Sequence, residues 1–457
     1  MIGNNLLLGS GDEGYNLTRS LRFRSSATAY LSRTPASASN QQKWTWSGWV
    51  KRGQLGVLKQ LFSAGSGTTT FQMYFNGSGG GASSTDGIEL YANNSGTQVL
   101  YYTSTAVRRD PASWYHIVLA VDTTQATAGN RVLLYVNGAS VPDVTGVTVP
   151  AQNTNLAVNS TAAHYIGQFN SSNYFDGYLT EVNFIDGQAL TPSSFGETDL
   201  ITGVWKPKAY SGTYGTNGFE LQFTDNSAAT AAAIGKDSSG NGNNWTPNNI
   251  SVTAGATYDS MTDVPTLTSA TAANFAVLNP ITSDGTISNA NLTIDWASGN
   301  SSKPATIGVT SGKWYCEITL VAASSNAILV GIIPASMIPS ASYPGSASGG
   351  YGFFGDGQKY FNGAGSAYGS AVSVGQIVGI AFDLDNGKLW FSINGTWQAS
   401  GDPAAGTNAA FTSIAAGTWF LSAGHSGACT LSANFGQRPF SYTPPTGYVA
   451  LNTYNLT

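Results

Sequence analysis

The chain has 457 residues, a formal net charge of −5 and 9% charged residues, whereas soluble domains typically contain about 25%. Hydrophobic residues at 41% and aromatic residues at 12% exclude charge-driven disorder, and no basic stripe of a nucleic-acid-binding surface is present. Hydroxyl and amide side chains and 55 glycines take the place of the charges, which favours rigid, turn-rich β structure with an uncharged surface.

The first residues contain one short apolar run, formed by Leu6, Leu7 and Leu8, with no basic region before it. This pattern is not typical of a signal peptide, and no stretch of the sequence approaches the ~18 apolar residues of a membrane span. We therefore expect residues 1–18 to form a docking arm with the three leucines as anchors. An unstructured terminus is the alternative.

Strand patterns begin near Ser20 and recur roughly every 8–15 residues with turn residues between them, which is the signature of a β-sandwich. Trp44 and Trp46 alternate with polar residues and therefore share one face of a strand, and we expect this alternation to end at Gly48. Further strands are predicted at 60–63, 71–75, 87–92, 100–103, 115–122, 131–136 and 178–185.

Two similar hairpin patterns lie in separate halves of the chain. Val132–Val136 runs into Asn137 and Gly138, and Leu389–Ile393 runs into Asn394 and Gly395. Asn-Gly favours a type I′ turn, because both residues tolerate positive φ. The two patterns are too far apart for one small sheet and predict two β-sandwiches in series.

Four segments of the first half share a resemblance. Trp44–Arg52, Trp114–Asp122, Leu133–Gly138 and Phe175–Phe184 resemble strands of a laminin-G-like, concanavalin-A-like jelly roll. The resemblance implies one β-sandwich over residues 19–200.

Residues 201–271 have a different character and are predicted to be a connector of one strand and loops. Asn217–Phe223 is the strand pattern, and an Asn/Gly-rich stretch and Tyr258–Pro265 follow it. From Trp205 onward this region resembles the linker of tailed-phage virion proteins that carry the same jelly roll.

Residues 272–445 form the third region. Gly312–Leu320 alternates, Ile328–Ile333 is nearly all apolar as in a buried strand, and Asn386–Gly387 joins two further strands as a predicted hairpin. The set resembles a SPRY domain, which implies a bent β-sandwich that binds partners through loops at one end. Residues 446–457 remain as a C-terminal tail. The predicted fold class is all-β, with two β-sandwich (jelly-roll) domains in series, a short N-terminal arm and a β/loop connector.

Catalytic patterns are scarce in the sequence. His116, His164 and His425 lie far apart without a metal-ligand spacing, and the Gly-x-Ser-x-Gly motif of a serine hydrolase is missing, so structural roles are expected for all three histidines. Cys316 and Cys429 are expected to be small buried residues on strands. A disulfide between them is the alternative if those strands are neighbours.

Glycoside hydrolysis requires two carboxyl groups about 5–9.5 Å apart. Glu89, Asp122 and Glu181 fall on predicted strands, but none has a second acid at short spacing. Asp383 and Asp385 share a face but precede a turn, which favours turn capping over catalysis.

The clearest pattern for a metal is the first half of a calcium loop, formed by Asp237, Ser239, Asn241 and Asn243. The twelfth position, Asn248, lacks the bidentate carboxylate, so an Asx-rich turn is the alternative. No other cofactor is predicted.

Aromatic residues among glycines in the third region suggest a flat platform for sugar rings with polar partners, and strand packing is the alternative. The candidate ligand-binding residues are Tyr351, Phe354, Asp356, Tyr360, Asn362 and Trp397.

The combined resemblance to a tailed-phage virion appendage implies a structural, non-enzymatic protein located in the virion. It implies a tail fibre that docks to tail, portal or capsid proteins through its N-terminus and attaches to host-surface glycan or protein. A homo-oligomer, with a trimer as the usual form, is inferred by analogy, and neither nucleic-acid binding nor membrane insertion is expected. The alternatives are a capsid decoration or head-fibre protein, and a jelly-roll enzyme that degrades polysaccharide.

Overall fold

The computed structural model describes residues 14–78, 85–141, 144–281, 284–324, 327–338 and 342–456, with the backbone alone for 144–146. These residues form strands, turns and short 3₁₀ segments without an α-helix, which confirms the predicted all-β class. They divide into two compact units, the first holding 14–253 and 258–266 and the second 254–257 and 267–456. The 3₁₀ segments are Ser25–Ala27, Ala128–Asn130, Pro192–Ser194, Ala335–Met337, Gln398–Ser400 and Tyr454–Leu456.

The first unit contains the earlier strands of the chain. They are β1 (Ser20–Phe23), β2 (Tyr30–Arg33), β3 (Lys43–Arg52), β4 (Lys59–Ser66), β5 (Thr69–Phe75), β6 (Gly87–Asn94), β7 (Thr97–Val107), β8 (Trp114–Asp122), β9 (Val132–Val136), β10 (Ala139–Ser140), β11 (Val144–Thr148), β12 (His164–Ile166), β13 (Gly177–Asp186), β14 (Gly196–Thr198), β15 (Trp205–Pro207), β16 (Phe219–Leu221), β17 (Thr246–Asn248) and β18 (Ser260–Met261).

Over the described residues these strands form two large antiparallel sheets and one small sheet. Sheet A has the order β10-β9-β8-β3-β13-β1-β18, with β16 also on β13, and sheet B has the order β11-β7-β6-β5-β4-β12-β2-β17. Sheet C is the pair β14–β15. Apolar residues from sheets A and B form a single buried cluster, so the two sheets make a sandwich.

Strand β3 shows how the tryptophans build this core. Trp44, Trp46 and Val50 belong to the buried cluster, and Trp49 lies on the opposite face, where it stacks on His116. The prediction that the alternation ends at Gly48 is wrong, because β3 pairs continuously with β8 through this residue. A Cβ at Gly48 would lie 2.7 Å from the Trp46 ring, so any other residue here would displace this buried indole.

Residues 201–266, expected as most of a connector, contribute β15 to β18 to the sheets of the first unit. Buried ion pairs hold the last part in place. Asp259 Oδ1 lies 3.0 Å from Arg22 Nε and 2.8 Å from Arg24 Nε. Lys51 Nζ lies 2.7 Å from Asp263 Oδ2. The sequence pattern hides this arrangement, because strands of two or three residues have no measurable period.

The second unit contains the later strands. They are β19 (Thr286–Ser288), β20 (Thr293–Trp296), β21 (Ser301–Pro304), β22 (Lys313–Ala323), β23 (Ile328–Pro334), β24 (Tyr351–Phe354), β25 (Gln358–Phe361), β26 (Ala364–Ala367), β27 (Ile377–Asp383), β28 (Lys388–Ile393), β29 (Thr396–Trp397), β30 (Trp419–His425), β31 (Cys429–Asn434) and β32 (Val449–Ala450).

Sheet D has the order β19-β20-β31-β22-β27-β28-β29, with β32 also on β22, and sheet E has the order β21-β30-β23-β24-β25-β26. The buried rings of Phe353 in sheet E and Phe391 in sheet D stack 5.2 Å apart, which shows the two sheets packed face to face. Part of the expected C-terminal tail is the parallel strand β32. Cys316 and Cys429 are buried free thiols, so the possible disulfide is not formed.

Both predicted Asn-Gly turns are confirmed. Asn137 and Gly138 have φ of 50° and 79°, and Asn394 and Gly395 have 47° and 77°. The hairpin at Asn386–Gly387 is also formed, but its loop has four residues and only Gly387 has positive φ. Asp383 caps this loop, since its Oδ1 accepts a hydrogen bond of 3.0 Å from the Asn386 amide.

Candidate functional site

The outer face of sheet B, turned away from the core, carries tyrosines beside polar side chains. Tyr91 on β6 lies opposite Tyr101 on β7, with their half-buried rings 6.5 Å apart in an edge-to-face arrangement. Gln72 lies opposite Tyr91 on the other side. The neighbours Leu90 and Leu100 point into the core, so the strand alternation itself places the tyrosines outside.

A carboxylate lies on the same face as these tyrosines. Glu89 pairs in register with Tyr74 and with Thr103. The Tyr74 hydroxyl donates to Glu89 Oε1, and the Thr103 hydroxyl lies 3.4 Å from Oε2. Burial and then the nearby Glu89 raise the pKa of Tyr74 well above its ordinary value, so this phenol remains a donor at neutral pH.

A second group of tyrosines lies on sheet B toward its β17 edge. The Tyr30 ring lies 6.0 Å from Tyr165 and 6.1 Å from Tyr174, and all three are half-buried. Asn248 lies opposite Tyr30, and its amide donates to Ser32 Oγ at 3.1 Å. Sheet B therefore presents ring faces, hydroxyls and amides, and we call its two groups the Tyr91 patch (Gln72, Tyr74, Glu89, Tyr91 and Tyr101) and the Tyr30 patch (Tyr30, Ser32, Tyr165, Tyr174 and Asn248).

Sequence reasoning missed both patches. A usable signal was present, because Glu89 and Tyr91, and likewise Tyr101 and Thr103, are two residues apart and so share a face. The pairing of β6 with β7, which joins the two signals, is a long-range property of the fold.

The predicted platform of the second unit is divided between two faces of sheet E. Tyr351 stacks on Phe361 at 4.7 Å and contacts Trp419, whereas Phe354 stacks on Tyr360 at 3.8 Å. Tyr351 and Phe354 are three positions apart on β24, so their side chains leave on opposite faces.

The other predicted residues of this platform lie elsewhere. The exposed Asp356 accepts hydrogen bonds from Gln358 within its own turn, and the exposed Asn362 has φ of 52° in the turn between β25 and β26. Trp397 is half-buried on sheet D, where it packs against Tyr315. Sheet E thus keeps Phe354 and Tyr360 together with access to solvent, and Trp397 is not part of that group.

The predicted calcium loop is occupied by internal hydrogen bonds. Asp237 Oδ1 accepts from the Glu220 and Ser239 amides, and Oδ2 accepts from the Asn243 amide at 2.8 Å. Asn241 donates to backbone carbonyls, and Asn243 Oδ1 accepts from the Arg33 guanidinium. This is the pattern of an Asx-rich turn. Among the described residues, no three His, Cys, Asp or Glu side chains are grouped to hold a metal.

Each histidine is engaged through both ring nitrogens. His116 forms hydrogen bonds with the Ser47 hydroxyl and the Trp205 indole. His164 forms hydrogen bonds with the Asn159 amide and the Ala162 carbonyl. Burial lowers the pKa of His116 to about 3 and that of His164 to about 4.

His425 lies beside a serine and an aspartate, but not in triad order. Its Nε2 meets Ser301 Oγ at 2.9 Å and Asp284 Oδ2 at 3.3 Å, whereas its Nδ1 meets the Gly427 carbonyl. In a hydrolase triad the carboxylate bonds to Nδ1 and the serine to Nε2. The arrangement therefore does not provide that chemistry.

The three acids Glu89, Asp122 and Glu181, which the sequence places on different strands, do not form a catalytic pair with one another. Glu89 lies on sheet B, whereas Asp122 and Glu181 lie on sheet A. The proposed docking residues Leu6, Leu7 and Leu8 lie outside the described residues. Among the residues that the structure describes, no helix has the length and apolar character needed to cross a membrane.

Residues 25–194 match the sequence profile of the concanavalin A-like lectin/glucanases superfamily, and residues 313–438 match that of the SPRY domain. The chain therefore contains a concanavalin A-like domain followed by a SPRY domain, which confirms the predicted combination. Both are folds of lectin-like or binding modules. No curated protein matches the chain.

Solved structures similar to parts of the chain include the SPRY domain of human HERC1, at 15% identity over 35% of this chain and 91% of that chain, with a TM-score of 0.26. A heptameric SAP-like pentraxin from Limulus polyphemus matches at 16% identity over 38% of this chain and 78% of that chain, with a TM-score of 0.28. A protein from Bacteroides ovatus, whose name gives carbohydrate binding as a provisional function, matches at 17% identity over 51% of this chain and 59% of that chain, with a TM-score of 0.32.

Proposed function

We propose that this chain is a non-enzymatic attachment protein of a tailed-phage virion, a tail fibre or similar appendage, whose β-sandwich units bind carbohydrate on the host surface. The observation that carries the proposal is the Tyr91 patch of sheet B. Ring faces of Tyr91 and Tyr101 offer apolar contact to the C–H face of a sugar, while the half-buried Gln72 amide offers groups that bond its hydroxyls. Glu89 is buried below them and fixes the Tyr74 hydroxyl.

The chemistry of the surface favours a neutral glycan over other ligands. A net charge of −5 and 9% charged residues supply little attraction for phosphate polymers, and Glu89 beside the tyrosines opposes them. Tyr74 is buried, whereas the other tyrosines of the two patches are half-buried and offer rigid ring edges and faces rather than a broad apolar patch.

The virion part of the proposal rests on the resemblance of the connector to phage proteins and on the order of the two domains. Docking to tail, portal or capsid proteins is assigned to residues 1–18 with Leu6, Leu7 and Leu8 as anchors. A homo-oligomer, with a trimer as the first arrangement to test, fits glycan attachment, because several weak sites on one particle gain avidity without new contacts.

Binding is tested with the purified full chain on immobilised host-surface polysaccharide. We expect retention by the wild type and loss by Tyr91→Ala and Tyr101→Ala, while the exposed Tyr454→Ala serves as the matched control. Wild-type retention that both patch variants keep would refute the assignment of the patch. Release of reducing sugar during the same incubation would favour the polysaccharide-degrading alternative.

Location in the particle is tested with gold-labelled antibody to residues 300–457 on negatively stained virions. Label at the tail end supports host attachment by a fibre. Label spread over the head would replace the fibre with the capsid decoration alternative, and the absence of label on every particle would overturn the virion proposal.

A further inference from the structure

Two carboxyl groups face each other inside the first unit. Glu181 on β13 and Glu220 on β16 are 2% and 8% exposed, and each lies within hydrogen-bonding reach of the other. Strand β16 pairs with β13 so that Glu220 lies opposite Asn183. The two glutamates are 39 positions apart in the sequence, so no local spacing pairs them.

The backbone at Glu181 is strained. Its φ is 51°, and the pairing of β13 with β3 shifts register between Thr180 and Asn183, so Glu181 lies in a β-bulge. A residue with a side chain rarely adopts this conformation inside a strand, and bulges redirect side chains. Here the bulge lies at the residue whose carboxyl group is within hydrogen-bonding reach of Glu220.

The donors around the pair are neutral. The Tyr15 hydroxyl donates to Glu181 Oε1 at 3.0 Å, and the Asn183 amide lies 3.4 Å from the same oxygen. Gln222 donates in turn to the Tyr15 hydroxyl at 2.9 Å. Glu181 Oε2 is buried without a donor among the described residues.

The titratable groups that face the pair come from three further segments: Tyr15 before β1, Tyr214 before β16 and Asp237 after it. Within the described residues neither Glu181 nor Glu220 forms a salt bridge. A proton is therefore the natural positive charge between the two carboxyl groups.

The pair binds this proton tightly. Burial, and then the charge of Glu220, raise the pKa of Glu181 to about 8, and burial also raises the pKa of Glu220. Burial and Glu181 raise the pKa of Tyr15 far above its ordinary value, so that phenol remains a donor when the carboxyl groups titrate.

A short segment covers the pair. Residues 14–18 precede β1, and Tyr15 is held by Glu181 and Gln222 as described above. Leu17 is buried and exchanges hydrogen bonds of 3.2 Å with the Thr266 hydroxyl. From Ser20 onward the chain is paired on both sides by β13 and β18, so residues 14–18 are the part that can leave without breaking a sheet.

We propose that residues 14–18 form a proton-controlled latch, docked while Glu181 and Glu220 share a proton and released when both carboxylates are ionised. Two adjacent charges in a buried site require hydration, and displacement of Tyr15 admits water at the lowest structural cost. Because the docked state binds the proton more tightly than the released state, a rise in pH favours release.

Release is measured on the full chain with a spin label at Asn16→Cys, a position exposed in the docked state. The native thiols Cys316 and Cys429 are buried and do not compete for the label. We expect the label to change from slow to fast motion with a midpoint near pH 8. Glu220→Gln removes one charge of the pair and should keep the label slow up to pH ~10, because a lone Glu181 carboxylate still accepts from Tyr15.

The exposed Glu197→Gln is the matched control and should titrate like the wild type. A label that stays slow in the wild type, or a Glu220→Gln variant with the wild-type midpoint, would overturn the latch. Hydrogen exchange of the unlabelled protein gives a second measurement. The Leu17 amide should lose protection, after correction for the intrinsic pH dependence, while the amides of β1 keep it, and joint loss in both segments would indicate unfolding instead.

Discussion

The indole nitrogen of Trp205 donates a hydrogen bond of 3.0 Å to Nδ1 of His116. The imidazole lies between two indoles, with its centroid 4.9 Å from Trp49 and 5.9 Å from Trp205. Its Nε2 lies 2.9 Å from Ser47 Oγ, so the neutral tautomer that carries its proton on Nε2 satisfies every polar contact. Trp205 lies in the segment expected as a connector, and this contact ties sheet C to sheet A.

Acid should destabilise the first unit through its neutral histidines. Burial lowers the pKa of His116 to about 3 and of His164 to about 4 in the folded state, so the unfolded chain binds more protons below pH ~6.5. The stability that the two neutral histidines contribute is therefore fully present above pH ~6.5. It is lost as pH falls, by about 2 kcal/mol per histidine at pH 5. The proton shared by Glu181 and Glu220 stabilises the folded state over the same pH range, so the histidine contribution is isolated by comparing the wild type with His164→Asn. In urea denaturation at pH 7 and pH 5, the change in stability of the variant should differ from that of the wild type by about 2 kcal/mol, in favour of the variant at pH 5. The same change in stability between pH 7 and pH 5 in the wild type and in His164→Asn would contradict this account.

Loss of the Asp263 carboxylate should be among the costliest single changes. Lys51 Nζ lies 2.7 Å from Asp263 Oδ2, the Trp114 indole donates to Oδ1 at 3.1 Å, and both partners of the ion pair are fully buried. Asp263→Ala removes the carboxylate that neutralises the buried Lys51 charge, which costs about 3–5 kcal/mol in chemical denaturation. The double variant Lys51→Met/Asp263→Leu removes both charges and should recover much of the loss. A double variant no more stable than Asp263→Ala would indicate that packing, rather than the loss of charge neutralisation, is responsible.

The two Asn-Gly hairpins share the same side-chain hydrogen bond. Asn137 Oδ1 accepts from the His116 amide at 2.8 Å, and Asn394 Oδ1 accepts from the Ile377 amide at 2.9 Å. Asn394→Ala loses this hydrogen bond and forces a Cβ residue to positive φ, so we expect a loss of about 1–3 kcal/mol. Asn394→Gly loses only the hydrogen bond and should cost less. Thermal unfolding of the pair tests the order, and a less stable glycine variant would disprove it.

The ring of Tyr101, rather than its hydroxyl, should carry sugar binding on the Tyr91 patch. Tyr101→Phe keeps the ring and should keep most of the glycan affinity, whereas Tyr101→Ala should lower it about tenfold. Calorimetric titration with the retained glycan measures both. A Phe variant as weak as the Ala variant would assign the binding to the hydroxyl group instead.

Calcium should leave the stability of the chain unchanged. Both carboxylate oxygens of Asp237 accept backbone amides, and Asn243 faces the cationic Arg33, so the loop closes without a metal. Melting curves with calcium and with chelator should coincide. A bound ion at 100 times its Kd would add about 2.7 kcal/mol, so a clear upward shift of the Tm with calcium would restore the metal site.

The sequence by itself determined the fold class, the long strands and the two type I′ turns. Alternation in a strand such as β3 and the Asn-Gly pairs at 137–138 and 394–395 are local signals, because a strand has period two and a primed turn requires positive φ at adjacent residues. The face of the sheet on which a side chain lies also follows from whether its position in the strand is odd or even. The division of Tyr351 and Phe354 between two faces was therefore readable once β24 was fixed.

Only the tertiary structure decided which strands become neighbours. The Tyr91 patch requires β6 beside β7, and the carboxyl pair requires β16 beside β13, which brings together residues 39 positions apart. The short strands of the connector join the large sheets because their backbone groups need partners, and that requirement leaves no periodic pattern in the sequence. Burial is likewise a property of the whole fold, and it converts an isolated glutamate on β13 into one half of a shared proton site.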